Sequence, residues 1–85
     1  MKMAGSGFVE IDVHGMNRFQ AKTCIDSALK RAGKDVYRID IIHGFHSGSA
    51  LKEMVRRDYR CNPKVKRVEL GLNDGMTSLV LRDLY

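Results

Sequence analysis

Three residues near two strand ends carry side chains that could do chemistry. Asp12 and His14 stand two apart at the end of the alternating run "FVEIDVH", Phe8 to His14. A period of two sends both side chains to one face. A carboxylate beside an imidazole orients the ring and raises its basicity, as a general base needs. His43 closes a second β-branched run, and "GFHSGS", Gly44 to Ser49, leads from it into a helical pattern. Glycines let backbone approach a ligand closely, and a helix N-terminus offers unpaired N–H groups to phosphate. Together these features suit proton transfer beside a bound phosphate. They also suit plainer roles: a surface Asp, a His that caps a turn, and a strand-to-helix loop with Ser49 as cap. A zinc set of His14, His43, His46 and Cys61 fits poorly. Its spacing matches no common zinc pattern, and Cys61 is set ~15–18 Å from the loop by helical rise.

The elements that must position these residues follow from periodicity. Val9, Ile11 and Val13 mark one face of the first strand. Asn17 is a candidate N-cap, with Gln20 completing a capping box. Ala21, Cys24, Ile25, Ala28, Leu29 and Ala32 then form a helical stripe, closed by Lys30, Arg31 and Gly33. Tyr37 to Ile42 is a second strand, parallel to the first through the βαβ link. The second helix is expected from about Ser49 to Tyr59, with Leu51, Met54, Val55 and Tyr59 inward and Lys52, Arg56 and Arg60 as a basic stripe. Pro63 forbids its continuation. Val65 to Leu70 and Thr77 to Arg82 are two further strands, with Val68, Leu70, Leu79 and Leu81 inward and the Asp74-Gly75 turn between them.

The order βαβαββ predicts an α/β (α+β) two-layer sandwich: a four-stranded mixed sheet with two helices on one face. The other face carries Glu10, Asp12, His14, Arg38, Asp40, Arg67, Glu69 and Arg82 and is expected to be solvated and self-neutralised. With 85 residues there is room for one domain, expected over residues 8–85, after a flexible lead-in at 1–7. The net charge of +5 favours polyanions, nucleic acid or an anionic membrane surface, although solubility alone also accounts for it. No apolar run approaches a membrane span. The two cysteines suggest buried or half-buried thiols in a reducing, cytoplasmic setting rather than a disulfide framework.

Three motifs, taken in order, resemble the Smr (small MutS-related) domain. "IDVHG", Ile11 to Gly15, resembles its L-D-L-H-G signature. "IIHG" with the loop into "ALKEMVRR" resembles its H-G-x-G motif, and "DGMTSLVL" resembles its Gly-x-Thr turn into the last strand. The resemblance covers about Val9 to Arg82. It implies a fold like the C-terminal domain of translation initiation factor three, and a DNA-nicking or RNA-cleaving endonuclease or a nucleic-acid binder. It places Asp12, His14 and His43 at the catalytic positions and Gly44 at the first glycine of the loop. The second glycine is replaced by His46, with Gly48 two residues later.

Two functions follow. The first is an endonuclease in which one of His14 and His43 is general base and the other general acid, with Asp12 orienting His14. Gly44, His46, Ser47, Gly48 and Ser49 would hold phosphate. Lys52 and Arg56 would flank it, and Lys64, Lys66 and Arg67 would extend the track. Mg2+ or Mn2+ could join, although Asp12 alone makes a poor cage. The second is a non-catalytic DNA- or RNA-binding module whose second motif has degenerated. A protein-interaction role through the open sheet edge stands behind both. Without an aromatic row for stacking, backbone and shape recognition is expected. The partner is nucleic acid, not a membrane, and the chain is expected as a monomer or weak homodimer.

Overall fold

Strict alternation in three segments and a 3.6-residue stripe in two others produce one mixed sheet covered on one face. A computed structural model describes residues 2–3, 7–44, 50–71 and 74–82. The elements are β1 (Lys2–Met3), β2 (Phe8–Asp12), α1 (Arg18–Arg31), β3 (Arg38–Ile42), α2 (Ala50–Asp58), β4 (Arg67–Leu70) and β5 (Met76–Val80). The sheet order is β1-β2-β3-β5-β4. β2 and β3 are parallel, as the βαβ reading requires, and β3–β5 and β4–β5 are antiparallel. The four expected strands are joined by the two-residue β1, antiparallel to β2, so Lys2 and Met3 of the lead-in are part of the sheet.

The alternation sets the layers. Val9 and Ile11 of β2 pair with Ile39 and Ile41 of β3, which pair in turn with Leu79 and Thr77 of β5. All six are buried, and both helices deliver their stripes onto this face: Ala21, Ile25, Ala28 and Leu29 from α1, Leu51, Met54 and Val55 from α2. Truncating a fully buried residue here, such as Ile25→Ala, costs about 2–5 kcal/mol. Tyr59, just beyond α2, locks the helices together. Its ring is buried and its hydroxyl donates to the Asp26 carboxylate at 2.6 Å and to the Lys22 carbonyl at 3.3 Å. Burial and Asp26 push that hydroxyl's pKa up, so it stays protonated and remains a donor.

The start of α1 is the capping box expected from the sequence. The Asn17 side chain accepts the Gln20 N–H at 2.8 Å, and the Gln20 side chain accepts the Asn17 N–H at 3.2 Å. Two details depart from expectation. Leu70 shares the inward face with Val68 but is 74 % exposed. It sits at the end of the edge strand β4, beyond the cover of either helix. Cys61 is exposed, because α2 ends at Asp58 and the chain turns out before Pro63.

The open face pairs much of its own charge. One row across the sheet reads Glu10, Asp40, Ser78 and Glu69, and the adjacent row reads Phe8, Arg38, Val80 and Arg67. Arg38 pairs with Asp40 at 3.0 Å and stacks over the Phe8 ring at 4.7 Å. Arg67 pairs with Glu69 at 2.6 Å, and Ser78 donates to Asp40 at 2.7 Å. Exposed pairs of this kind contribute little each, about 0–1 kcal/mol, but they offset most of the charge on these rows.

Candidate nucleic-acid site at the strand ends

The three motifs meet where β2 and β3 end. The Val13 N–H donates to the Ile42 carbonyl at 2.8 Å, carrying the parallel pairing one residue past β2. The N–H groups of His43 and Gly44 both donate to the carbonyl of Gly75, at 2.9 and 3.0 Å, which ties the end of β3 to the turn entering β5. Gly44 has φ +80°, and a Cβ built there would lie 3.1 Å from the His14 Cβ. Glycine is needed at this point both for the left-handed backbone and for the close approach of the first motif.

Asp12 and His14 form a pair on the outer side of this junction. The Asp12 carboxylate accepts from the His14 ring Nδ1 and from the His14 backbone N–H, the latter at 3.1 Å. A carboxylate bonded at Nδ1 fixes the proton there and leaves Nε2 as the free lone pair. The His14 side chain is 67 % exposed, so that lone pair is accessible. The bond from His14 holds the Asp12 carboxyl below its usual range, so it stays ionised at neutral pH and can stabilise an imidazolium.

His43 is different. It was expected to share a crevice with His14, but the pleat sends it to the helix side with Ile39 and Ile41, where it is 1 % exposed. Its Nδ1 lies 3.2 Å from the Gly44 carbonyl and its Nε2 lies 2.9 Å from the Thr77 hydroxyl. A carbonyl can only accept, so Nδ1 carries the proton and Nε2 accepts from Thr77. The Thr77 oxygen in turn accepts from Arg56 Nε at 3.0 Å. Burial, with the nearby Arg56 and Lys52 charges, holds the ring's pKa below the usual imidazole range and keeps it neutral. Thr77 was not singled out from the sequence. Its place in the Gly-x-Thr turn, inward and opposite a strand-ending histidine, was the available signal.

The expected phosphate contacts divide into three groups. Gly44 lies at the junction, and Lys52 and Arg56 sit close enough to act on His43. His46, Ser47, Gly48 and Ser49 lie outside the described residues. Lys64, Lys66 and Arg67 lie toward the other end of the sheet from the junction. The Lys64 ammonium donates to the Leu29 carbonyl at the C-terminal end of α1, at 2.9 Å. The Lys66 N–H donates to the Val80 carbonyl, and Arg67 is level with Arg38. That is four residues, ~13 Å by strand rise, from Ile42 at the junction.

Among the described residues no three His, Cys, Asp or Glu side chains gather as a metal-binding set. The Asp12 carboxylate at the junction is engaged by His14. Among the described residues no helix is long and apolar enough to cross a membrane.

The crystal structure of the Smr domain of Thermus thermophilus MutS2 superposes with a TM-score of 0.77 at 24 % identity, covering 88 % of this chain and 99 % of that one. That likeness is one of fold. No curated protein sequence matches the chain. The Smr domain family model matches residues 11–81, which takes in all three motifs at the junction. The chain thus belongs to the Smr domain family, a family of nucleic-acid-binding and nuclease-like domains.

Proposed function

We propose that this domain cleaves phosphodiester bonds in nucleic acid, with His14 as general base and Asp12 as the group that orients it. The carrying observation is the Asp12–His14 pair itself: Nδ1 held by an ionised carboxylate, Nε2 free, the ring exposed beside Gly44. In the reaction, His14 Nε2 takes the proton from a nucleophilic hydroxyl, water or a ribose 2′-OH. The oxygen attacks phosphorus and the leaving oxygen departs with its electron pair. Asp12 stabilises the imidazolium that forms. Lys52 and Arg56 supply positive charge beside the phosphate. His43 acts as a positioning residue, holding the Gly44 carbonyl and the Thr77 hydroxyl.

One observation favours a second reading, a binding module without catalysis. The other motif histidine is sealed with both nitrogens engaged, so it does not supply the general acid. Cleavage separates the two. Wild type, Asp12→Asn and His14→Ala would be incubated with supercoiled plasmid and with folded RNA, with and without Mg2+ or Mn2+. The nuclease reading expects cleavage by wild type and a loss of about 10²–10⁴-fold in His14→Ala. Unchanged cleavage by either variant removes the assigned roles. Binding without cleavage by wild type leaves the module.

A further inference from the structure

The basic flank of α2 has no use yet in the chemistry of Asp12 and His14 beyond its first two cations. Lys52, Arg56 and Arg60 follow one another at intervals of four. Four helical residues rise about 6 Å, so Lys52 and Arg56 are one turn apart on one flank and Arg60 continues the line in the turn after α2. All three line one open groove of about 650 Å³, together with Glu53, Arg57 and Cys61. Arg57 is turned aside and paired with Asp58 at 3.3 Å. Among the described residues, Lys52 and Arg60 make no ion pair or hydrogen bond. Glu53 also lines the groove, but among the described residues it forms no ion pair with this line of cations, which leaves their charge for an outside anion.

Arg56 adds the second, independent observation. Its Nε is spent on the Thr77 hydroxyl at 3.0 Å, and that hydroxyl is itself directed by His43 Nε2 at 2.9 Å. The chain Gly44 carbonyl–His43–Thr77–Arg56 fixes every proton in one direction, because the carbonyl can only accept. The guanidinium is thereby ordered before any ligand arrives, and among the described residues its terminal nitrogens make no hydrogen bond or ion pair. Pre-ordering an arginine removes part of the entropic cost of binding. It also couples the second and third motifs to the groove: the buried histidine and the threonine act on the nucleic acid through Arg56.

We propose that this flank of α2 is a track for one strand of phosphodiester backbone, with Lys52, Arg56 and Arg60 each taking one phosphate and Thr77 positioning the middle one. The spacing of one helical turn is close to the through-space separation of neighbouring phosphates along a strand. Lys52, at the start of α2, is nearest the junction, so the track runs from the Asp12–His14 end toward Cys61. This rests on the nucleic-acid reading above and deepens it. The chemistry recognised is the backbone, shared by DNA and RNA, and a single strand suffices.

The test is the salt dependence of binding, read by fluorescence anisotropy with short labelled single strands of DNA and of RNA and with a duplex. Each phosphate neutralised on a single strand contributes about 0.7 to the slope of log K against log salt, so three give a slope near −2. Lys52→Gln and Arg60→Gln should each flatten it by about 0.7, and Lys34→Gln, which does not line the groove, should leave it unchanged. Thr77→Val should flatten the slope as Arg56→Gln does, the double variant should lose no more than either, and Thr77→Ser should restore wild-type behaviour. Circular dichroism and a urea melt confirm that each variant is folded. Wild-type slopes in Lys52→Gln and Arg60→Gln, with wild type still binding, overturn the track and leave the nucleic-acid reading standing. Binding to the duplex alone overturns the one-strand assignment. No binding of any nucleic acid by wild type at low salt overturns both. The better-bound sugar, DNA or RNA, names the substrate without changing the track.

Discussion

Neutral, buried His43 makes stability depend on pH in a way that one substitution removes. In the unfolded chain its imidazole takes a proton around the ordinary value of 6.5; in the folded chain burial and the Arg56 and Lys52 charges hold its pKa lower. Between those two values the unfolded state binds the extra proton. Its contribution is therefore fully present above pH 6.5 and is lost as pH falls through the folded value. The ceiling is one proton, about 1.4 kcal/mol for each pH unit below the unfolded pKa. With a urea dependence of ~1–3 kcal/mol per molar, that moves the unfolding midpoint by roughly 0.5–1.4 M per unit. Urea melts of wild type and His43→Gln at about pH 7.5 and about pH 5.5 measure it. Glutamine keeps a donor and an acceptor for Gly44 and Thr77 but does not titrate. Wild type should lose more stability on acidification than the variant, the difference between the two isolating His43 from His14 and the carboxylates. Parallel losses in both proteins would falsify the neutral, sealed state assigned to His43.

Two further outcomes follow from geometry. Gly15 and Gly44 have nearly the same backbone, φ +79° and +80°, but a Cβ at Gly15 meets nothing within 4 Å and one at Gly44 meets the His14 Cβ at 3.1 Å. Gly15→Ala should cost only the left-handed backbone term, ~1–2 kcal/mol. Gly44→Ala should cost more and also shift the His14 ring resonances in an NMR spectrum; equal costs with an unmoved His14 would show that the motifs do not touch there. Tyr59→Phe keeps the buried ring and removes the hydroxyl bonds to Asp26 and Lys22, and a destabilisation of about 1–2 kcal/mol in a urea melt is expected. A neutral Tyr59→Phe would mean that the hydroxyl does not tie α2 to α1.

The motifs and the elements were legible because they depend on short-range pattern. Alternation in "FVEIDVH" and the stripe from Ala21 to Ala32 are set by the 2.0 and 3.6 periods alone, and the Asn17–Gln20 capping box is a contact between residues three apart. The Asp12–His14 pair was legible for the same reason, since two residues separated by one on a strand share a face. Leu70 carried the correct parity and still came out exposed, because cover depends on where a helix ends in space rather than on the period of the strand.

Which residue types stand at the strand ends, and which side of each strand they leave, can be read from local order. What those sides became depended on how the elements pack. Lys64, Lys66 and Arg67 follow the basic stripe in the sequence, and the strand register places them at the opposite end of the sheet from Gly44. His43 looked equivalent to His14, but one histidine lies on the pleat facing the helices and the other lies in solvent. That assignment turns one imidazole into a neutral hydrogen-bond relay to Arg56 and leaves the other beside Asp12 as an accessible base. The reason is dielectric and geometric: burial and charge around a ring are sums over residues 34 positions apart, and no local period encodes them.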